Sequence, residues 1–163
     1  MFQGELVGIF LCERRGLDLQ SGESVEAVAG RGLLGDRYFD KDGTYSEKNG
    51  PDREVTLIES EAIEGLAREY EITLAPAQSR RNLLTRGVPL NHLVGKTFCI
   101  GDVVLRGIRL CEPCGHLEKL VCKGLQKGLK HRGGLRAQIV MGGVLRVGAA
   151  IALHLEQELV GRA

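Results

Sequence analysis

The sequence predicts a mainly β protein, a closed or nearly closed barrel carrying two amphipathic helices. Three observations predict it. Short apolar or alternating runs recur along most of the chain, each bounded by turn residues. The 23 glycines among 163 residues are about twice the average usage, and their dispersal marks many turns and no linker. Only two stretches carry a helical period. A barrel is preferred because closure removes exposed strand edges. No low-complexity tract divides the chain, so residues 1–163 read as one domain with its core over about 4–155.

The elements follow in order. Glu5–Leu11 is a first strand, and Ser24–Val28 alternates polar and apolar as a second. Gly30–Arg37 is a glycine-rich turn. A long polar loop from about Phe39 to Asp52 is long enough to be a lid. Glu54–Ile58 is a third strand. Ser60 is placed to cap a helix in which Ala62, Ile63, Leu66, Ala67 and Tyr70 share a face. Asn82–Thr85 is a short strand and Asn91–Gly95 a single helical turn. Thr97–Ile100, Gly101-Asp102 and Val103–Leu110 read as a hairpin with a type I′-like turn. His116–Lys130 is the second amphipathic helix, with Leu117, Leu120, Val121, Leu125 and Leu129 on one face. Arg136–Val140 and Val144–Leu155 return to strand character. Gly95 to Asp102 and Gly142 to Ala149 look like two copies of one strand–turn–strand unit.

Composition excludes several classes. Lys plus Arg number 22 and Asp plus Glu 21, a net charge of +1, so nothing general points to nucleic acid or membrane. No signal peptide and no membrane-length apolar run is visible. Five cysteines without a regular framework suit free thiols in the cytoplasm.

Several motifs fail on mechanism. Gly30-x-Gly32-x-x-Gly35 has the letters of a dinucleotide fingerprint, but no helical pattern follows to hold a pyrophosphate. Asp40-x-Asp42-Gly43 has its glycine too early for an EF-hand. No Gly-x-Ser-x-Gly elbow occurs. His92 and His154 read as structural, and the lysines of the second helix as a solvated face.

Cys111-Glu112-Pro113-Cys114 is the strongest chemical signal. It ends an apolar run where strand character gives way to helix. Zinc is one reading, through Cys111, Cys114, His116 and Cys122, although no second ligand pair exists. A dithiol redox pair is another, without the βαβ setting it expects. The third is a single thiolate at Cys114, placed at a helix start near Arg and Lys. Two buried cysteines acting as small hydrophobes are the structural alternative. Arg80-Arg81-Asn82, with Arg86 behind, suits a phosphate or oxyanion, or is a solvated turn.

Taken in order, Gly32–Arg37, Arg53–Ile58, Arg81–Val88, Leu93–Gly95 with Phe98-x-Ile100-Gly101-Asp102, Cys111-x-Pro113-Cys114, Arg132–Leu135 and Gly143-x-Leu145-x-Val147-Gly148 resemble the MOSC family, the molybdenum cofactor sulfurase C-terminal domains. The resemblance spans about Gly4 to Leu155. It implies a MOSC-type β-barrel. It implies that Cys114 is the working cysteine, carrying a persulfide in sulfurase relatives or binding molybdenum in amidoxime reductases. It implies that Arg80 and Asn82 hold the polar groups of a pyranopterin cofactor. One departure is Gly148-Ala149 where most members have Gly-Asp. The larger relatives also carry an N-terminal domain that these residues do not include, so no pyridoxal phosphate is expected in this chain.

Two readings of function follow from the resemblance. In the leading one the protein is a sulfur carrier or handles the molybdenum cofactor, supplied by a cysteine desulfurase or another sulfur donor, with Arg80, Asn82 and nearby lysines receiving the anionic cofactor under the Phe39–Asp52 loop. In the second it is a molybdenum-dependent oxidoreductase acting on N-hydroxylated compounds, fed by an electron-donor protein. A non-catalytic zinc-stabilised module remains as a third reading, from a different class.

Overall fold

The computed structural model describes residues 1–39 and 50–154. The expected lid segment therefore lies mostly outside the described residues. Eleven strands are assigned in these residues. They are β1 (Gly4–Leu11), β2 (Gln20–Gly22), β3 (Ser24–Val28), β4 (Gly32–Leu33), β5 (Val55–Glu59), β6 (Leu83–Arg86), β7 (Thr97–Ile100), β8 (Val103–Leu110), β9 (Leu135–Met141), β10 (Gly143–Arg146) and β11 (Ala150–Leu153). Three α-helices accompany them: α1 (Ser60–Tyr70), α2 (Gly115–Leu120) and α3 (Leu125–Gly128).

Seven strands close a barrel in the order β1-β11-β7-β8-β9-β5-β6 and back to β1. β5 and β6 are parallel, joined by α1 on the outside, and the other neighbours are antiparallel. β2 extends the far half of β1. β10, β3 and β4 form a separate three-stranded sheet. The mainly β barrel expected from the sequence is the observed fold.

Alternation explains the barrel core. Val55 and Leu57 of β5, Leu135, Ala137 and Ile139 of β9, and Phe98 and Ile100 of β7 all enter one cluster, as residues two apart on a strand share a face. β1 breaks the rule. Its register slips between Leu6 and Gly8, so Val7 is an extra residue and both Leu6 and Ile9 point inward. Such a bulge inverts the face on either side of it.

A second apolar cluster lies outside the barrel, where Leu66 and Leu74 meet Leu117, Leu125 and Leu129. It carries α2 and α3. The single helix expected over His116–Lys130 is two short pieces, because Gly124 between them is left-handed (φ 93°). Glu118 Oε1 accepts the backbone N–H groups of Gly124 (2.9 Å) and Gln126 (3.1 Å), which satisfies donors at the start of α3. Leu120, expected on the buried face, is about half exposed.

Other local expectations are refined. Ser60 is the first residue of α1 and its hydroxyl bonds Glu61 instead of capping. In the β7–β8 hairpin only Gly101 has a positive φ, the sign pattern of a type II′ turn. The two suspected repeat units differ in role. β7 and β8 pair with each other, whereas β10 joins the small sheet and β11 joins the barrel.

Candidate functional site

The site lies on the outer face of the barrel wall. Four neighbouring strands place one row of polar residues there: Arg109 of β8 opposes Arg136 of β9, which opposes Thr56 of β5. Asn82, just before β6, continues the row by donating its N–H to the Thr56 carbonyl (3.2 Å). The flanking residues Val55, Leu57, Leu83, Leu135 and Ala137 all face the core. The polar row must therefore face outward, yet Thr56, Asn82 and Arg136 are buried. Loops cover them and enclose a cleft of about 300 Å³.

Six arginines line this cleft: Arg37, Arg53, Arg80, Arg81, Arg109 and Arg136. Glu112 is the only carboxylate in the lining among the described residues, and Cys114, His116 and Leu117 are also part of it. The near neutrality of the whole chain hides this local concentration of positive charge. Such a cleft focuses field and attracts anions.

The arginines divide by what else they hold. Arg81 is a strut. Its Nε donates to the Gly133 carbonyl (2.8 Å), Nη2 to Cys111 (3.2 Å) and Nη1 to Ser79 (3.4 Å). It thereby ties the start of β6 to the Cys111–Cys114 loop. Arg37 pairs with buried Asp36 (3.2 Å), donates to the Arg80 carbonyl (3.3 Å) and stacks over Tyr38 (4.6 Å). Burial pushes the Asp36 carboxyl up, opposed by Arg37 and by the N–H groups of Cys12 and Tyr38. Arg80 has a left-handed backbone (φ 60°) and donates Nη1 to the Leu17 carbonyl (2.8 Å). Asp52 gathers the opposite wall: it pairs with Arg109 (2.7 Å) and lies 3.8 Å from Arg53, and its carbonyl accepts from Arg136 (3.3 Å). Partial burial raises the Asp52 carboxyl, but Arg109 and Arg53 outweigh it and hold it below the ordinary value.

The Cys111–Cys114 loop is fixed from below. The Cys111 N–H donates to the Gly134 carbonyl (2.7 Å). A side chain on Gly133 would meet the Cys111 carbonyl at 2.5 Å, and one on Gly134 would collide with the Leu57 carbonyl. Only glycines let this turn pass between β5 and the loop, and Gly134 also needs its positive φ of 119°. Glu112 Oε2 accepts the His131 N–H (3.0 Å).

The two thiols separate sharply. Cys111 is buried. Cys114 is half-buried, lines the cleft and packs against the α2–α3 cluster. It caps a helix of only six residues, so the helix-dipole argument made from the sequence is weak. The cleft arginines are the larger positive field. None of the five cysteines is in a disulfide. Among the described residues no three His, Cys, Asp or Glu side chains are grouped to hold a metal ion, which leaves the zinc reading without a ligand set.

Of the residues singled out in the sequence, Arg80 and Cys114 share the cleft. Asn82 does not line it. Its Oδ1 accepts from the Thr56 N–H and hydroxyl (both 3.2 Å), and its Nδ2 donates to the Phe10 carbonyl (3.1 Å). The amide is spent inside the protein, positioning Thr56. Sequence reasoning missed Arg109 and Arg136 as site residues. For Arg136 the signal available was a polar residue at the outward position of a strand with core residues, Leu135 and Ala137, on both sides.

The MOSC domain sequence model matches residues 44–152. No curated protein matches the chain. Among solved structures, the YuaD protein from Bacillus subtilis superposes with a TM-score of 0.78 at 14% identity, covering 93% of this chain and 97% of that one. YiiM from Geobacillus stearothermophilus gives 0.67 at 16%, with 93% and 75% covered. YiiM from Escherichia coli gives 0.64 at 21%, with 94% and 70% covered. At these identities the likeness is one of fold.

Proposed function

We propose, from the premise that the chain belongs to the MOSC domain family, that it handles a molybdenum cofactor through one reactive thiol, Cys114. The observation that carries this reading is that, among the described residues, that thiol meets six arginines and a single carboxylate in one cleft. The donor set fits an anionic pyranopterin cofactor. Guanidinium forks suit phosphate and oxyanion groups. Arg80 and Arg109 would hold them, since each has further N–H donors beyond the one given to Leu17 or Asp52. Cys114 would offer a soft sulfur ligand. When bound, the molybdenum group supplies sulfur, oxygen-atom or electron transfer. Asn82 contributes from behind, by orienting Thr56.

In the sulfur-carrier form, the Cys114 thiolate attacks the terminal sulfur of a persulfide on a donor such as a cysteine desulfurase. A new S–S bond forms on Cys114 as the donor's S–S bond breaks, and the donor leaves as a thiolate. The arginines stabilise the negative charge of the resulting perthiolate. Free thiols suit the reducing cytoplasm for this chemistry. Incubation with a desulfurase and its substrate should add about 32 Da to Cys114. Equal labelling of Cys114→Ala would overturn the reading.

The second reading, a molybdenum-dependent reductase of N-hydroxylated compounds with an electron-donor protein, draws on the half-buried position of Cys114 against apolar neighbours. Elemental analysis after cofactor loading tests it. Molybdenum retained by the wild type and lost from Cys114→Ser supports it, and no retention removes it.

A further inference from the structure

A second cavity of about 400 Å³ adjoins the arginine cleft, and Arg80 lines both. α2 runs along both as well: Leu117 lines the cleft, while Leu120 and Val121, one turn later, line the second groove. Arg80, the residue common to both linings, is latched through Nη1 to the Leu17 carbonyl (2.8 Å).

The two cavities differ in chemistry. The cleft presents guanidinium groups. The groove presents Asp18, the amides of Gln20 and Gln78, and the apolar surface of Leu120 and Val121. A carboxylate there repels further phosphate. Amides with a carboxylate match the donor and acceptor edge of a heterocyclic base, and flanking aliphatic groups suit its face. The Gln78 Oε1 already accepts the Ala75 N–H (2.9 Å), so its amide N–H is the group left to donate.

We infer that the cleft and groove together take a pyrophosphate-linked nucleotide, with the phosphates on the arginines, the base in the groove, and Arg80 at the junction. The inference rests on the anion-binding reading of the cleft and names the larger ligand class that it selects. Each cavity has about the size of a small-ligand site. Arg80 then has a reason for its left-handed backbone. The conformation belongs to the residue that lines both cavities, and non-glycine residues are held so mainly where surroundings or function demand it.

The test is calorimetric titration with pyrophosphate and with ADP, which carry similar charge at neutral pH. ADP should bind about tenfold more tightly. Leu120→Ala and Gln20→Ala, both exposed positions, should bring ADP toward the pyrophosphate value and leave pyrophosphate unchanged. Equal affinities in the wild type, or an ADP advantage untouched by both variants, would overturn the nucleotide inference while leaving the anion cleft standing. Failure of pyrophosphate to bind at all would overturn the anion cleft and the inference together.

Discussion

The Asp52 carboxylate lies 2.7 Å from Arg109 Nε, and through this contact one acidic residue sets the position of a whole wall of basic ones. Its second oxygen is 3.8 Å from Arg53 and its carbonyl accepts from Arg136. Without a carboxylate here the three guanidinium groups would repel one another across the cleft.

Asp52→Asn should leave the fold intact, since the Arg109 partner is half exposed to solvent and solvent screening keeps such a pair to about 1 kcal/mol. Removing the charge raises the potential of the cleft, so pyrophosphate should bind a few-fold more tightly at low salt, and the gain should shrink as salt is added. In the wild type the contribution of Asp52 to stability is present above its ordinary value of 3.8 and is lost as pH falls through the depressed folded value. Titration calorimetry at two salt concentrations and acid unfolding curves check both statements.

Glu54 offers the opposite sign. It is buried, accepts the Gly30 and Ile139 N–H groups, and burial holds its carboxyl above the ordinary 4.5. A raised acid favours folding fully below 4.5 and loses that contribution as pH rises through the folded value. Glu54→Gln keeps an acceptor and removes the charge. Its stability relative to wild type should rise with pH above 4.5, measured by urea unfolding across that range. A difference that falls with pH would contradict the assignment.

The thiols should separate by substitution. Cys114→Ser should abolish sulfur loading with little loss of stability. Cys111→Ser should load normally but unfold more easily, by about 1–3 kcal/mol, because a hydroxyl replaces a buried thiol. Intact mass and thermal melts read the two effects. Complete loss of loading in Cys111→Ser would show that both sulfurs act.

Gly134→Ala should be the most damaging small change near the site, at several kcal/mol. The new methyl group meets the Leu57 carbonyl and the backbone keeps a positive φ. Yield and melting temperature should both fall, and the Cys114 reagent reactivity of any folded fraction should change with the displaced loop.

Many of the strands were legible because they alternate. Ser24–Val28 of the small sheet was read with its observed bounds, and in the barrel Phe98 and Ile100 face the core as their spacing demands. The bulge at Val7 was not legible, since an inserted residue leaves no mark on composition. The broken second helix was missed because Gly124 looked tolerable within an apolar period, and its φ of 93° depends on the Glu118 contacts. Of the site, Cys114 and Arg80 were visible in motifs. The arginine cluster was not, because Arg37, Arg53, Arg109 and Arg136 come from separate segments, two between strands and two on paired strands, and only the fold brings them together.

The ring of strands closes through a narrow seam. Among the described residues, only Gly4↔Ile151 and Glu5↔Ala150 pair across β1 and β11, with two further backbone bonds joining Leu6 to Gly148 and Ala149. These partners are far apart in sequence, so they form against the largest loop-closure entropy in the molecule. The seam should be the stave that opens first, exchanging its amide hydrogens well before those of β5 and β9. The cleft wall lies on the other side of the ring. The protein can therefore breathe at its seam while the arginines keep their spacing.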